Sequence, residues 1–290
     1  MLINFTLLQD ALKSEHSGAG ISFYESGVKC PRFIQLQKRF PLHVEGMNQT
    51  ALDTGIVLHK LQELYHKDLL SELVIEDSDF NDDSPISEGV RLFKFYRSVC
   101  SPTFWGKPEI IEVGYPRVDV EGESAKLSSF WGVEQFTFRP DLVVSVTEED
   151  TARVNERYSS IVLTPGTWII DWKTAAAKEA NAELKYKWRT QFAAYAASLV
   201  YLHPELNIQG TLAIKLIKHK TLELFDKNGL PHSLQPFVVP APTSEDVTAI
   251  KQWLQYAEKE IKSGEPRLHN CVTQNGVCEY LRAGLCDRNF

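Results

Sequence analysis

Cysteine is scarce in this chain. Five residues, Cys30, Cys100, Cys271, Cys278 and Cys286, are spread over 290 positions. An odd count at that density argues against a disulfide framework and leaves free thiols or metal ligands. Long hydrophobic runs are missing as well: no uninterrupted apolar segment reaches the length of a bilayer span, so a soluble protein is expected. The opening "MLINFTLLQDALKSEHSG" meets acidic and basic residues too early for a secretory signal and lacks the arginines of a transit peptide, which predicts an intracellular protein. Basic charge is not in excess. The formal net charge is −7, so no global field pulls the molecule onto nucleic acid, and any phosphate contact has to be local. There is no internal repeat, no low-complexity tract and no Gly-x-x-x-x-Gly-Lys phosphate loop, so a nucleotide-driven motor would enter only as a partner.

What remains is an ordinary globular composition, 43% hydrophobic and 24% charged, on a chain long enough to bury a substantial core. Three spans are expected: an N-terminal helical segment over 1–50 carrying Cys30, a core over 51–264, and a cysteine-containing tail over 265–290 packing back on the N-terminal segment. Apolar residues three and four apart predict helices over 5–14 and about 52–70, the latter capped by Asp53 or Thr54. Another helix is expected in "SEGVRLFKFYRSVC", ending before Pro102. From 109 the period falls to two. "EIIEVGYPRVDV", "VEQFTFRPDLVVSV" and "SSIVLTPGTWIIDWKT" read as strands of a meander, with "TEEDTARVNERY" as a solvated hairpin loop and Pro165-Gly166 as a tight turn. "AELKYKWRTQFAAYAASLVYL" then reads as a helix, "GTLAIKLIKH" and "TLELFD" as strands, and "SEDVTAIKQWLQYAEKEIKSG" as a capped helix. That order predicts an α/β fold.

One strand ends unusually. In "TPGTWIIDWKTAA", Asp171 and Lys173 lie two apart, so both side chains emerge on one face while Trp172 packs on the other. Asp141, in "FRPDLVV", lies on the preceding strand, where a hairpin would bring its carboxylate beside Asp171. Converging carboxylates suit a hard divalent cation such as Mg²⁺ or Mn²⁺. A lysine beside that metal can orient or deprotonate a water and stabilise charge developing on a phosphoryl oxygen. The structural alternative is a salt-bridged strand end at the surface, since an Asp-x-Lys tripeptide also arises by chance. Burying charge beside "WII" is costly, which favours a site.

"RPD" at 139–141 followed by "DWKT" at 171–174 resembles the PD-(D/E)xK nuclease superfamily in its RecB-like branch. That branch also carries a histidine on an upstream helix and a Gln-x-x-x-Tyr on the helix after the lysine. His59 in "GIVLHKLQELY", with the small Gly55 four residues earlier leaving room on its face, and Gln191 and Tyr195 in "QFAAYA" match these features. The resemblance spans about 22–286. It implies a restriction-endonuclease-like core with a central mixed β-sheet flanked by helices. The activity it implies is that of a metal-dependent deoxyribonuclease, expected to be an exonuclease, in DNA recombination, repair or phage replication. A cytoplasmic setting in a bacterial or phage-infected cell goes with it. By the same resemblance His59, Asp141 and Asp171 would hold Mg²⁺ or Mn²⁺, Lys173 would help activate water, and Gln191 and Tyr195 would face the DNA or position the lysine. Glu112 takes the family's acidic position at the start of the sheet. Glu109 competes for it, and Glu112 is preferred because Ile110, Ile111 and Val113 around it suggest a strand interior. Phe138 stands where many members have glycine. The expected substrate is DNA that is single-stranded or has free ends, with a helicase, recombinase or single-strand-binding protein as partner. The alternative is a non-catalytic DNA-binding or scaffold subunit on the same fold.

Lys185, Lys187 and Arg189 interleave with Tyr186 and Trp188, a pattern suited to phosphate contacts and base stacking or to the solvated face of an amphipathic helix. Part of the RecB-like branch holds a 4Fe-4S cluster on one cysteine before the nuclease core and three after it. By that resemblance Cys30, Cys271, Cys278 and Cys286 would form an iron-sulfur site clipping the two ends together. The spacing of the last three is looser than the family's, and zinc or free thiols remain alternatives. Cys100 reads as a buried structural thiol.

Overall fold

Period-two hydrophobicity on the longest strands leaves two apolar faces to cover, and helices cover both. The computed structural model describes residues 2–3, 5–12, 19–30, 49–67, 74–75, 84–176, 189–218, 233–263, 272–273 and 276–277. In chain order these form β1 (Leu2–Ile3), α1 (Phe5–Leu12), α2 (Ile21–Lys29), α3 (Gln49–His66), β2 (Val74–Ile75), α4 (Pro85–Val99) and β3 (Lys107–Ile111). They continue with α5 (Glu123–Trp131), β4 (Leu142–Val146), α6 (Glu148–Arg157), β5 (Gly166–Ala176) and α7 (Arg189–Leu202). The last are β6 (Ile208–Lys218), β7 (Leu234–Pro240), α8 (Ser244–Ser263), β8 (Val272–Thr273) and β9 (Gly276–Val277). Two compact units result, one from Met1–His16, Asn48–Val113 and Arg139–Pro242, the other from Ser17–Met47, Gly114–Phe138 and Thr243–Phe290.

The first unit is an α/β fold around a five-stranded mixed sheet of order β3-β4-β5-β6-β7. Only β5 and β6 run parallel, and α7 supplies the crossover that a parallel pair requires. Alternation along the strands sorts the core into two layers. Leu142, Val144, Trp168, Ile170, Trp172 and Ile214 join Leu58 and Leu61 of α3 and Phe93 of α4 on one side. Ala213 and Val239 meet Phe192 of α7 on the other. Each fully buried aliphatic side chain of these layers contributes about 1.5–3 kcal/mol. Because Trp172 points into the α3–α4 layer, its neighbours Asp171 and Lys173 emerge on the α7 side.

Several local expectations change. The α3 helix starts at Gln49, so Asp53 and Thr54 lie inside it instead of capping it, and Thr54 is fully buried. The expected loop "TEEDTARVNERY" is the helix α6. Thr147 Oγ1 accepts from the Asp150 amide at 3.1 Å and the Thr147 amide donates to Asp150 Oδ2 at 3.0 Å. This reciprocal capping, with acids in the first turn and Arg157 in the last, starts a helix that period counting misses. The long strands predicted over 109–120 and 133–146 shrink to β3 and β4. Glu112 takes a positive φ of 51° and ends β3, after which the chain leaves this unit at Gly114 and re-enters at Arg139. Thus β4 and β5 pair antiparallel as expected, but α6 joins them in place of a hairpin loop. The expected strand "TLELFD" lies outside the described residues, and β7, unforeseen, pairs with β6. α4 ends before Pro102 as expected but starts two residues earlier than "SEGVRLFKFYRSVC": Pro85 opens the helix and Ser84 Oγ accepts from the Ser87 amide at 3.2 Å.

In the second unit α8 packs against α2 and α5. The unforeseen α5 lies between Gly122 and Gly132, both at positive φ, which end the helical run cheaply. Tyr24 Oη donates to the Gln135 carbonyl, and Lys262 pairs with Glu134 at 2.6 Å. Cys30 follows α2, partly exposed and free of a disulfide. Cys271, Cys278 and Cys286, and with them the expected iron-sulfur or zinc site, lie outside the described residues. In the first unit Cys100 is buried, and burial pushes its thiol up to about 12. Among the described residues no helix is long and apolar enough to cross a membrane.

Candidate metal centre

His59 sits on the turn of α3 that crosses β5 at Trp172; β5 continues to Ala176, so Asp171 and Lys173 lie within the strand and not at its end as expected. Its Nε2 lies 3.0 Å from the Trp172 carbonyl oxygen. A carbonyl only accepts, so Nε2 carries the hydrogen and Nδ1 turns toward two carboxylates, 3.3 Å from Asp141 Oδ1 and 3.6 Å from Glu112 Oε1. An outer hydrogen bond of this kind fixes which imidazole nitrogen is offered to a cation. Asp141 is oriented in turn: its Oδ2 accepts from the Trp172 amide at 2.7 Å. The backbone of Trp172 therefore holds both residues, while its indole is locked in the core.

Glu112 arrives by a different route. Its positive φ costs on the order of 1 kcal/mol or more, and its amide donates to the Asp141 carbonyl at 3.0 Å. The carboxylate is nearly buried and pairs with Arg139 Nε at 3.1 Å. Ligand atoms of His59, Glu112 and Asp141 all lie within 4.8 Å of one another. One imidazole nitrogen and carboxylate oxygens form a donor set suited to Mn²⁺ or Mg²⁺. Glu109, the competing acid, is 41% exposed and pairs with Lys107 at 3.4 Å, away from this group.

Asp171 and Lys173 form their own pair at 2.5 Å. Asp171 is nearly fully buried, and among the described residues its Oδ1 has no hydrogen-bond partner, so a cation beside it would satisfy an otherwise orphaned oxygen. Its carboxylate is not part of the compact three-residue group, where Glu112 stands beside His59 and Asp141 instead. Lys173 Nζ lies 5.8 Å from the Phe192 ring centroid of α7. On that helix Gln191 Nε2 donates to Tyr195 Oη at 2.9 Å, and burial pushes the Tyr195 hydroxyl up to about 12 although Lys173 opposes the rise. Gly55 faces Thr174, where an added Cβ would make only an ordinary 3.8 Å contact, so room beside His59 does not depend on glycine.

Electrostatics reflect three acids gathered in little space. Burial would lower the His59 pKa, but the Asp141 and Glu112 carboxylates outweigh it and push it up to about 10. Burial raises Asp141 less than His59 and Lys173 lower it, so its pKa lies below the ordinary value. Burial raises Glu112. Burial carries Asp171 up to about 6 against the pull of Lys173, with Asp141 adding to the rise. Burial opposes the charge on Lys173, yet Asp171 and Asp141 hold it above the usual lysine range. The protein's own cations thus neutralise the acids, a role that a bound divalent ion would share.

Lys185 and Lys187 lie outside the described residues, and Arg189 opens α7. Arg139 received no role from sequence, although a cation two residues before Asp141 was a visible signal. The Trp172 main chain had no signal at all, since backbone groups leave none. No protein-family model matches the chain, and no curated protein matches it at a significant level. A nuclease reading therefore stands on the residues and their geometry.

Proposed function

We propose that the protein is a metal-dependent nuclease hydrolysing phosphodiester bonds in DNA, of the PD-(D/E)xK type. The observation that carries this reading is the convergence of His59, Glu112 and Asp141 beside the Asp171–Lys173 pair. His59 Nδ1 and the carboxylates of Glu112 and Asp141 would hold Mg²⁺ or Mn²⁺, with the unpartnered Asp171 Oδ1 on the neighbouring strand as a further oxygen. A divalent ion bound there supplies Lewis acidity toward a phosphoryl oxygen and makes a nucleophilic water available near neutral pH. The residues do the rest. Trp172 keeps His59 and Asp141 in register, Lys173 donates to the attacking water and offsets charge on the phosphoryl oxygens, and Tyr195 bounds the lysine as a neutral hydroxyl.

The test is cleavage of labelled single-stranded and duplex DNA with Mg²⁺ or Mn²⁺ by wild type and by Lys173→Ala. Wild type is expected to cut, with the variant slower by about 10²–10⁴-fold at equal folding. Equal rates would remove Lys173 from the chemistry. A folded, metal-loaded wild type that binds DNA without cutting it would instead favour a non-catalytic DNA-binding subunit.

A further inference from the structure

The geometry points to Arg139 as the residue that grips a phosphate of the substrate backbone at the mouth of this site, an inference that rests on the nuclease reading. Among the described residues three cationic side chains border the acids. Lys173 is 17% exposed and spent on Asp171, and His59 is 28% exposed and faces Asp141 and Glu112. Arg139 is 55% exposed, and its Nε alone is engaged, 3.1 Å from Glu112 Oε2. Among the described residues its two η nitrogens have no partner, so they face solvent as a fork. A guanidinium presents parallel N–H groups at the spacing of phosphate oxygens, which a lysine ammonium does not.

Charge gives the fork a purpose. A phosphodiester approaching Glu112, Asp141 and Asp171 meets three carboxylates, and Arg139 is the bordering cation with donors to spare at the solvent edge. Its anchor is unusual for a surface ion pair. The Glu112 carboxylate is only 6% exposed and is itself a candidate metal ligand. One guanidinium would therefore fix the metal-binding acid through Nε and the substrate through its η groups, tying the phosphate's position to the metal's. A bare structural pair on an exposed arginine would add little, since solvent screens such pairs.

The experiment measures affinity for labelled single-stranded and duplex oligonucleotides across a salt series, with Ca²⁺ replacing the catalytic ion so that no strand is cut. Mn²⁺ affinity without DNA is measured alongside by calorimetry. Arg139→Ala is expected to weaken oligonucleotide binding about tenfold and to reduce the slope of log affinity against log salt by about one contact. Arg139→Lys should keep the slope while losing part of the affinity. Arg139→Gln, which preserves bulk, should reproduce the slope loss should the alanine variant fold poorly. An unchanged slope in the alanine and glutamine variants, with only Mn²⁺ affinity reduced, would mean that Arg139 serves Glu112 alone and would overturn the inference while the nuclease reading stands. A wild type that binds neither Mn²⁺ nor oligonucleotide would remove both.

Discussion

Two histidines of α3, seven residues apart, lean on the same tryptophan and have opposite characters. The ring of His66 stacks on the Trp172 indole at 5.2 Å and 25°, its Nδ1 lies 2.8 Å from the Pro102 carbonyl oxygen, and its Nε2 lies 3.5 Å from Tyr96 Oη. It is buried, with a carbonyl and a phenol oxygen at its two ring nitrogens. His59 meets the same indole edge-on at 6.5 Å and 80°, stays partly exposed, and turns Nδ1 toward two carboxylates. Helix position and aromatic neighbour are shared, so neither decides a histidine's role. The oxygens beside the ring nitrogens differ: His66 has a carbonyl and a phenol there, whereas the carboxylates converging on His59 make it a candidate ligand.

That contrast is most easily broken at the metal. His59→Ala is expected to lower Mn²⁺ affinity by about a hundredfold, and to remove from the metal-free protein the stabilisation that its charged ring gains beside Asp141 and Glu112. Calorimetric titration and thermal unfolding check both halves. His66→Ala should instead cost about 2–4 kcal/mol in denaturant unfolding by leaving a cavity and orphaned partners, with Mn²⁺ affinity of the folded protein retained. Loss of metal binding in both variants, or in neither, would erase the distinction.

A weaker effect should follow pH. The folded-state pKa of His59 is raised from 6.5 to about 10, so its stabilisation is complete below about 6.5 and is lost as pH climbs through about 10. Asp171, raised from 3.8 to about 6, likewise favours the fold in its protonated form and ceases to do so as pH rises through about 6. Metal-free protein should therefore lose melting temperature as pH rises across both windows, and saturating Mn²⁺ should reverse the alkaline part, since neutral imidazole and ionised carboxylates are the ligating forms. A flat alkaline profile would show that His59 does not carry the charge described. The smallest effect is expected at the rival acids. Glu109→Gln should leave Mn²⁺ affinity unchanged within error, whereas Glu112→Gln should reduce it about tenfold or more.

Legibility followed the range of the interactions. Asp171 and Lys173 share a face because a strand alternates, and the body of α4 shows in its apolar spacing, although its cap at Ser84-Pro85 is hidden by the acidic residues before it. The α6 helix was misread because its charge density resembles a loop while its Thr147–Asp150 capping box counts for more. Glu112, not Glu109, stands beside His59 and Asp141, and a positive φ at the end of β3 instead of a strand interior carries it there. The two acids Glu109 and Glu112 look alike in sequence, and one backbone angle separates them.

The sequence by itself determined the elements whose causes lie within a few residues: the apolar period of α3, the two-residue alternation of β5, and the acid and lysine that β5 carries on one face. Only tertiary structure decided that α3 crosses β5 where the Trp172 carbonyl can hold His59, that antiparallel register sets Asp141 against the Trp172 amide, and that Glu112 and Arg139 close the group. Periodicity is a property of the chain's own geometry. Convergence of residues more than a hundred positions apart, as at His59 and Trp172, depends on how packed layers settle against one another, and no local pattern encodes that.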